Sequence, residues 1–165
     1  MKTLDVQLAN YAAYHRDPRN IATHSIGIPM IVLAVVVLLS KPAFQLGGVA
    51  VPLSWFAAAR ATAYYLKLSL KLSGLMALLL ALSVWFGMWA AGLSLPVWLA
   101  IGVGSFLVGW VFQFIGHVWE GRKPAFMDDI MGLIIGPLFV VVEALFSIGL
   151  LPDLQHNMEA KPHNE

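Results

Sequence analysis

Three histidines stand beside hydrophobic runs in a chain otherwise composed for lipid. His15 and His24 precede the first apolar run, within Tyr14-His15-Arg16-Asp17-Pro18-Arg19-Asn20-Ile21-Ala22-Thr23-His24. His117 follows a much later run, within Gln113-Phe114-Ile115-Gly116-His117-Val118-Trp119-Glu120. Imidazole is the commonest protein ligand for borderline metals, and two histidines with one carboxylate leave open positions at ferrous iron for substrate and dioxygen. His117 and Glu120 lie three apart, so a continuing helix puts them on one face. His15, His24 and His117 are therefore candidate nitrogen ligands, and Glu120 a candidate oxygen ligand or catalytic carboxylate. The competing reading is a set of interfacial histidines bonded to backbone or lipid headgroups. The His15 to His24 spacing matches no standard zinc motif.

Composition sets the solvent for these residues. Of 165 residues, 59% are hydrophobic and 12% charged, with a mean hydropathy of +0.78. Soluble domains carry roughly 25% charged residues, so the chain reads as an integral membrane protein. A net charge of +1 and the lack of any basic run give no pull toward nucleic acid. There are no cysteines, which removes disulfides, thiolate metal sites and a thiol nucleophile, and leaves nitrogen and oxygen ligands.

The periodicity predicts an all-α polytopic membrane bundle, one membrane-embedded domain over 1–151 followed by a polar, flexible tail over 152–165. Leu4, Leu8 and Tyr11 recur at helical spacing and predict a short interfacial helix. Asp17-Pro18 interrupts it, and Asn20 or Thr23 can cap the helix that follows. Ile26–Leu39, lengthened back to Ile21, makes the first span. Gly47-Gly48 and Pro52 signal turns. Gly74–Ala91, Val97–Gly116 and Ile130–Leu151 read as further spans, with Gly102, Gly104 and Gly109 as a small-residue packing face, 117–129 as a polar loop, and a kink at Gly136-Pro137. Asp128 and Asp129 suit the start of the last helix.

Val49–Leu66 decides whether the histidines can meet. Without it there are four spans, the chain crosses three times between His24 and His117, and the two clusters end on opposite faces. With it there are five, the chain crosses four times, and they share a face. Lys and Arg prefer the cytoplasmic side. Five crossings put Lys2, Arg16, Arg19, Lys67, Lys71, Arg122 and Lys123 on one face, against Lys41 and Lys161 on the other. Five hydrophobic segments are therefore favoured, with the histidines at the cytoplasmic interface. Arg60 then lies inside a span, where it can snorkel or pair with Glu143.

Around the histidines, Asn20 and Gln113 are candidates to support ligands or substrate, although a helix cap and helix packing explain them as well. Arg16, Arg19, Arg122 and Lys123 can hold an anionic head, or serve only as topology charges. Glu143 is a carboxylate within a span, a position that is functional or paired.

The two histidine motifs, His15-x4-Asn20-x3-His24-x2-Gly27-x-Pro29 and Gln113-x2-Gly116-His117-x2-Glu120-x3-Pro124-Ala125, together with Gly136-Pro137 and Glu143, resemble the yeast 2-hydroxy-fatty-acid dioxygenase family of small membrane proteins. The resemblance implies an iron(II)-dependent dioxygenase that shortens long-chain 2-hydroxy fatty acids by one carbon, an alpha-oxidation step of lipid metabolism. It implies His15, His24 and His117 as iron ligands, dioxygen as co-substrate, and an inner or endoplasmic reticulum membrane according to source. The rivals are a non-enzymatic metal- or lipid-binding membrane protein and another membrane lipid hydroxylase. Five histidines in total are too few for a di-iron hydroxylase with its paired histidine motifs.

Overall fold

A computed structural model describes residues 3–124 and 130–160. Asp128 and Asp129, expected to open the last helix, lie outside the described residues, as do Lys2, Ala125 and Lys161. The described residues form an all-α membrane protein of seven helices with one two-stranded hairpin. They divide into two compact units, one built from the chain up to Ile28 and from Val111 onward, the other from Pro29–Trp110.

In the first unit, α1 (Leu4–Ala12) packs on α6 (Gly132–Ser147) and α7 (Pro152–Glu159). The expected α1 stripe exists, with Leu8 and Tyr11 buried within the unit. Gly136 permits the approach of α6, since a Cβ there would sit 2.8 Å from the Tyr11 hydroxyl. Phe139 and Leu138 fill the space beneath.

Helix α2 (Pro18–Ser40) starts earlier than Asn20 or Thr23 would cap it. Pro18 has the φ that a first helical position needs, and the Asp17 side chain accepts from Arg19 N at 2.8 Å in the manner of an N-cap. Asn20 is thereby released for another partner. Helix α5 (Leu95–Glu120) continues through the expected polar loop as far as Glu120 and stops where Gly121 turns left-handed at φ 67°.

The second unit contains the segment on which topology depended. Ala43–Leu46 (β1) and Val49–Pro52 (β2) pair antiparallel around Gly47-Gly48, whose φ values of 57° and 83° define a tight hairpin turn. Helix α3 (Leu53–Leu66) follows, then α4 (Leu70–Ala91), which Ser69 caps by accepting from Leu72 N. Val49–Leu66 is thus part strand and part helix. Its 14 helical residues extend about 21 Å at 1.5 Å per residue, short of the ~30 Å hydrocarbon core.

Even so, α3 and α4 make one excursion out and back. The Ser40 hydroxyl is 2.9 Å from that of Ser54, at the start of α3. Lys41 Nζ donates to the last carbonyl of α4, Ala91 O at 3.3 Å, and to Leu93 O in the turn after it at 3.4 Å. Trp98 Nε1 donates to Val37 O at 2.9 Å, satisfying a carbonyl at the end of α2. The chain therefore enters α5 at the same end at which it left α2.

By length and apolarity, α2, α4 and α5 are candidate spans among the described residues. The pair of α6 and α7, bent by 120° at a break containing left-handed Gly149 and Leu151, is a fourth if taken as one span. Part of the expected flexible tail is thus helical. Of the expected small-residue face, Gly102 meets Leu38 whereas Gly104 faces open space.

Gly87 lets α4 approach α2, since a Cβ there would lie 2.5 Å from Ser40 Oγ and 3.1 Å from Val36 Cγ1. Gly87→Leu should overpack this contact and destabilise the protein by about 1–3 kcal/mol. Unchanged denaturation in detergent micelles would contradict the contact.

Candidate metal centre

Helix periodicity gathers the site. On α5, Gln113, Gly116, His117 and Glu120 recur at three- and four-residue spacing and share a face, as do Asn20, Thr23 and His24 on α2. The two faces meet at Gly116, where a side chain would collide with Thr23 Oγ1 and Asn20 Oδ1 and lie 3.1 Å from His24 Nδ1. Glycine is needed here for close approach, not for its backbone freedom.

His15, His24 and His117 come together in the first unit. Each is less than 10% exposed, and their ring centroids are 4.5, 4.8 and 5.4 Å apart. His15 Nδ1 lies 2.8 Å from Tyr11 O, and His24 Nδ1 lies 3.0 Å from Asn20 O. A carbonyl can only accept, so each Nδ1 carries the proton and each Nε2 keeps its lone pair. This is the outer-sphere arrangement usual for metal-binding histidine. The Tyr11 ring stacks on His15 at 4.2 Å and fixes its plane.

The donor set fits a metal ion. His15 Nε2 and His117 Nδ1 are buried without hydrogen-bond partners, a costly state that a bound cation would relieve. One nitrogen from each histidine lies within 4.8 Å of the others. Three nitrogens each about 2.1 Å from one ion lie roughly 3.0–3.4 Å apart, so the longest side of the triangle would close by more than about 1 Å on binding. Burial holds the His15 imidazole down to about 4, only partly offset by its bond to Tyr11 O, so it is a neutral ligand at pH 7.

Glu120 is placed differently from the sequence expectation of an oxygen ligand. Its Oε1 accepts from Arg16 N at 3.0 Å, and its Oε2 accepts from Arg16 N at 3.0 Å, Asp17 N at 2.8 Å and Asn20 Nδ2 at 2.9 Å. The carboxylate thus sits on the positive N-terminal end of α2. It ties the turn carrying His15 and the helix carrying His24 to the helix carrying His117.

The remaining candidates separate clearly. Asn20 and Gln113 are buried, and Asn20 Oδ1 and Gln113 Nε2 have no partners. Arg19 pairs with Asp17 at 2.7 Å and lies over the Trp119 ring. Arg122 Nη1 donates to Ala13 O at 3.1 Å, and Lys123 has a partner of its own. Arg16 and Glu143 line a cleft between α1, α6 and α7. Glu143 makes no ion pair among the described residues. Sequence reasoning missed Tyr11, whose signal was its position four residues before His15, and Asp17, which contributes through its main chain.

Fold and site together define a multi-pass membrane protein with three convergent, buried histidines able to bind a metal. The chain belongs to the Mpo1-like family, described as 2-hydroxy-palmitic acid dioxygenase Mpo1-like, which it matches over residues 1–148. It is 32% identical to the 2-hydroxy-palmitic acid dioxygenase MPO1 of Saccharomyces cerevisiae over 165 residues, covering 96% of this chain and 91% of that relative. No solved structure matches.

Glu120→Ala should weaken iron(II) or zinc(II) binding by about 10–100-fold, the usual effect of losing a ligand-orienting group. Unaltered affinity in a metal titration would exclude this role. The metal-free protein should also be acid-sensitive through His15. Its pKa is near 4 folded and 6.5 unfolded, so between these values the unfolded chain binds more protons. Stability then falls as pH drops through that window, by up to about 3 kcal/mol from this residue, and no further below it. His15→Gln should flatten that limb of the pH–stability curve; an identical slope would show that His15 does not titrate there.

Proposed function

We propose that the protein is an iron(II)-dependent dioxygenase that shortens long-chain 2-hydroxy fatty acids by one carbon, a step of fatty acid alpha-oxidation. The observation that carries this reading is the buried His15, His24 and His117 triangle, with orphaned ring nitrogens, in a relative of a 2-hydroxy-palmitic acid dioxygenase. Iron bound by the three histidines supplies the activation of dioxygen. The chain's own residues do the remainder. Tyr11 O and Asn20 O hold the His15 and His24 rings with Nε2 free. Glu120 fixes the spacing of the two histidine-bearing segments. Asn20 and Gln113 bring buried amides with unused hydrogen-bonding capacity to the same pair of helix faces. The apolar helices hold the acyl chain's surroundings free of water. The centre lies at the cytoplasmic interface, a placement supported by the cluster of Arg16, Arg19, Arg122 and Lys123 near it.

The test is metal analysis of protein purified under nitrogen, followed by oxygen uptake on addition of 2-hydroxyhexadecanoic acid and identification of the product. Stoichiometric iron and a product one carbon shorter are expected. His15→Ala, His24→Ala and His117→Ala should each lose at least about 100-fold in turnover, equivalent to about 2.7 kcal/mol in the barrier, while still inserting into membranes. Iron without turnover would mark a metal-binding membrane protein instead. Well-folded protein that takes up no metal would overturn the metal reading altogether.

A further inference from the structure

The cleft between α1, α6 and α7 has a volume of about 590 Å³; Arg16, Glu143, Ser147 and Gln155 form its polar lining, beside Ala9, Ala12, Phe146 and Met158. This is the size range of small-molecule sites. It runs beside α1 and the turn that follows it. Leu8 and Tyr11 of α1 are buried, as is His15 beyond its end. Ala9 and Ala12 of α1 line the cleft, and Arg16, in the segment after α1, lines its charged end. Consecutive α-carbons are about 3.8 Å apart, so the charged end of the cleft lies one residue from a candidate metal ligand.

Two groups in this cleft are unused. The Arg16 main-chain N–H is bound to Glu120, but its guanidinium makes no hydrogen bond or ion pair among the described residues. Of the four cations near the centre, Arg19, Arg122 and Lys123 are engaged elsewhere. Glu143 is half-buried in an otherwise apolar helix and has no ion-pair partner among the described residues. Carboxylates in membrane helices are costly, and those retained are paired or line cavities and ligand pathways. The two side chains share the cleft without forming a salt bridge with each other.

We propose that this cleft recognises the head of a 2-hydroxy carboxylic acid, with Arg16 binding the carboxylate and Glu143 accepting a hydrogen bond from the 2-hydroxyl. The choice of ligand rests on the dioxygenase reading above. A guanidinium matches a carboxylate through paired donors. A simple fatty acid would satisfy Arg16 and leave Glu143 facing an anion with nothing to accept. A 2-hydroxy acid brings the acceptor and the donor on neighbouring atoms and satisfies both. A site built to hydrogen-bond a hydroxyl rejects the analogue lacking it far more strongly than an apolar pocket does. Ala9 and Ala12 leave width for the first methylenes, and Phe146 and Met158 give them apolar contact.

The test is equilibrium binding to the full-length, metal-loaded protein in micelles under nitrogen, where turnover is blocked. The ligands are 2-hydroxyhexadecanoic acid, hexadecanoic acid and the methyl ester of each. Wild type should prefer the 2-hydroxy acid at least about tenfold over the plain acid. Arg16→Gln should weaken both acids at least about tenfold and leave the esters unchanged. Glu143→Leu should reduce the preference for the 2-hydroxy acid by at least about fivefold. Both variants should keep wild-type metal content, because the Glu120 clamp uses only the main chain of Arg16. Equal loss of acids and esters in Arg16→Gln, or an undiminished preference in Glu143→Leu, would overturn the assignment. So would wild-type protein that does not distinguish the two acids, a result independent of any variant's folding. Selective binding without turnover would sink the dioxygenase reading and leave the cleft standing.

Discussion

The Glu120 carboxylate is the interaction on which the centre depends. It joins positions 100 or more residues apart by accepting two main-chain N–H groups and one amide from the start of α2. A carboxylate at the last residue of its own helix opposes that helix's dipole. The residues leading into α2 offer the compensation, since Arg16 N and Asp17 N, just before its first turn at Pro18, both donate to the carboxylate. A local conflict in α5 is thus resolved only by tertiary contact. That resolution sets the distance between His117 and the two other histidines. Gly116 sets the same distance from the other side by letting the helices touch.

The histidine set was legible because its members sit at interruptions of apolar runs, where polar residues stand out. The all-α character was legible from composition and period. Glu120 was legible as a residue of the site but not in its role, because three-residue spacing from His117 suits a ligand and a clamp equally. What decides is the partner, and the partner lies a hundred positions away. The α2 start was misassigned to Asn20 or Thr23 because several residues there can cap. Only the fold shows Asp17 in that part and Asn20 bound to Glu120 instead.

Val49–Leu66 shows the limit of counting crossings. Apolar content predicted one continuous segment, but Gly47-Gly48 folds the chain back on itself and uses its first residues as a strand. The 14-residue helix that remains is short, yet α3 and α4 together return the chain to the end it left. Parity depends on the direction of travel, which hydropathy measures only indirectly. The surroundings of Glu143 were equally invisible: it lies in a cleft that also contains Arg16.

The Glu120 clamp reads the main chain of residues 16 and 17, not their side chains. Any amino acid except proline offers the same N–H. Position 16 is therefore free to change identity without disturbing the geometry of the histidines beside it. The fold separates what keeps the centre intact from what that position shows to a ligand. Descendants of this chain can drift in the molecules they accept while inheriting an unaltered reactive core.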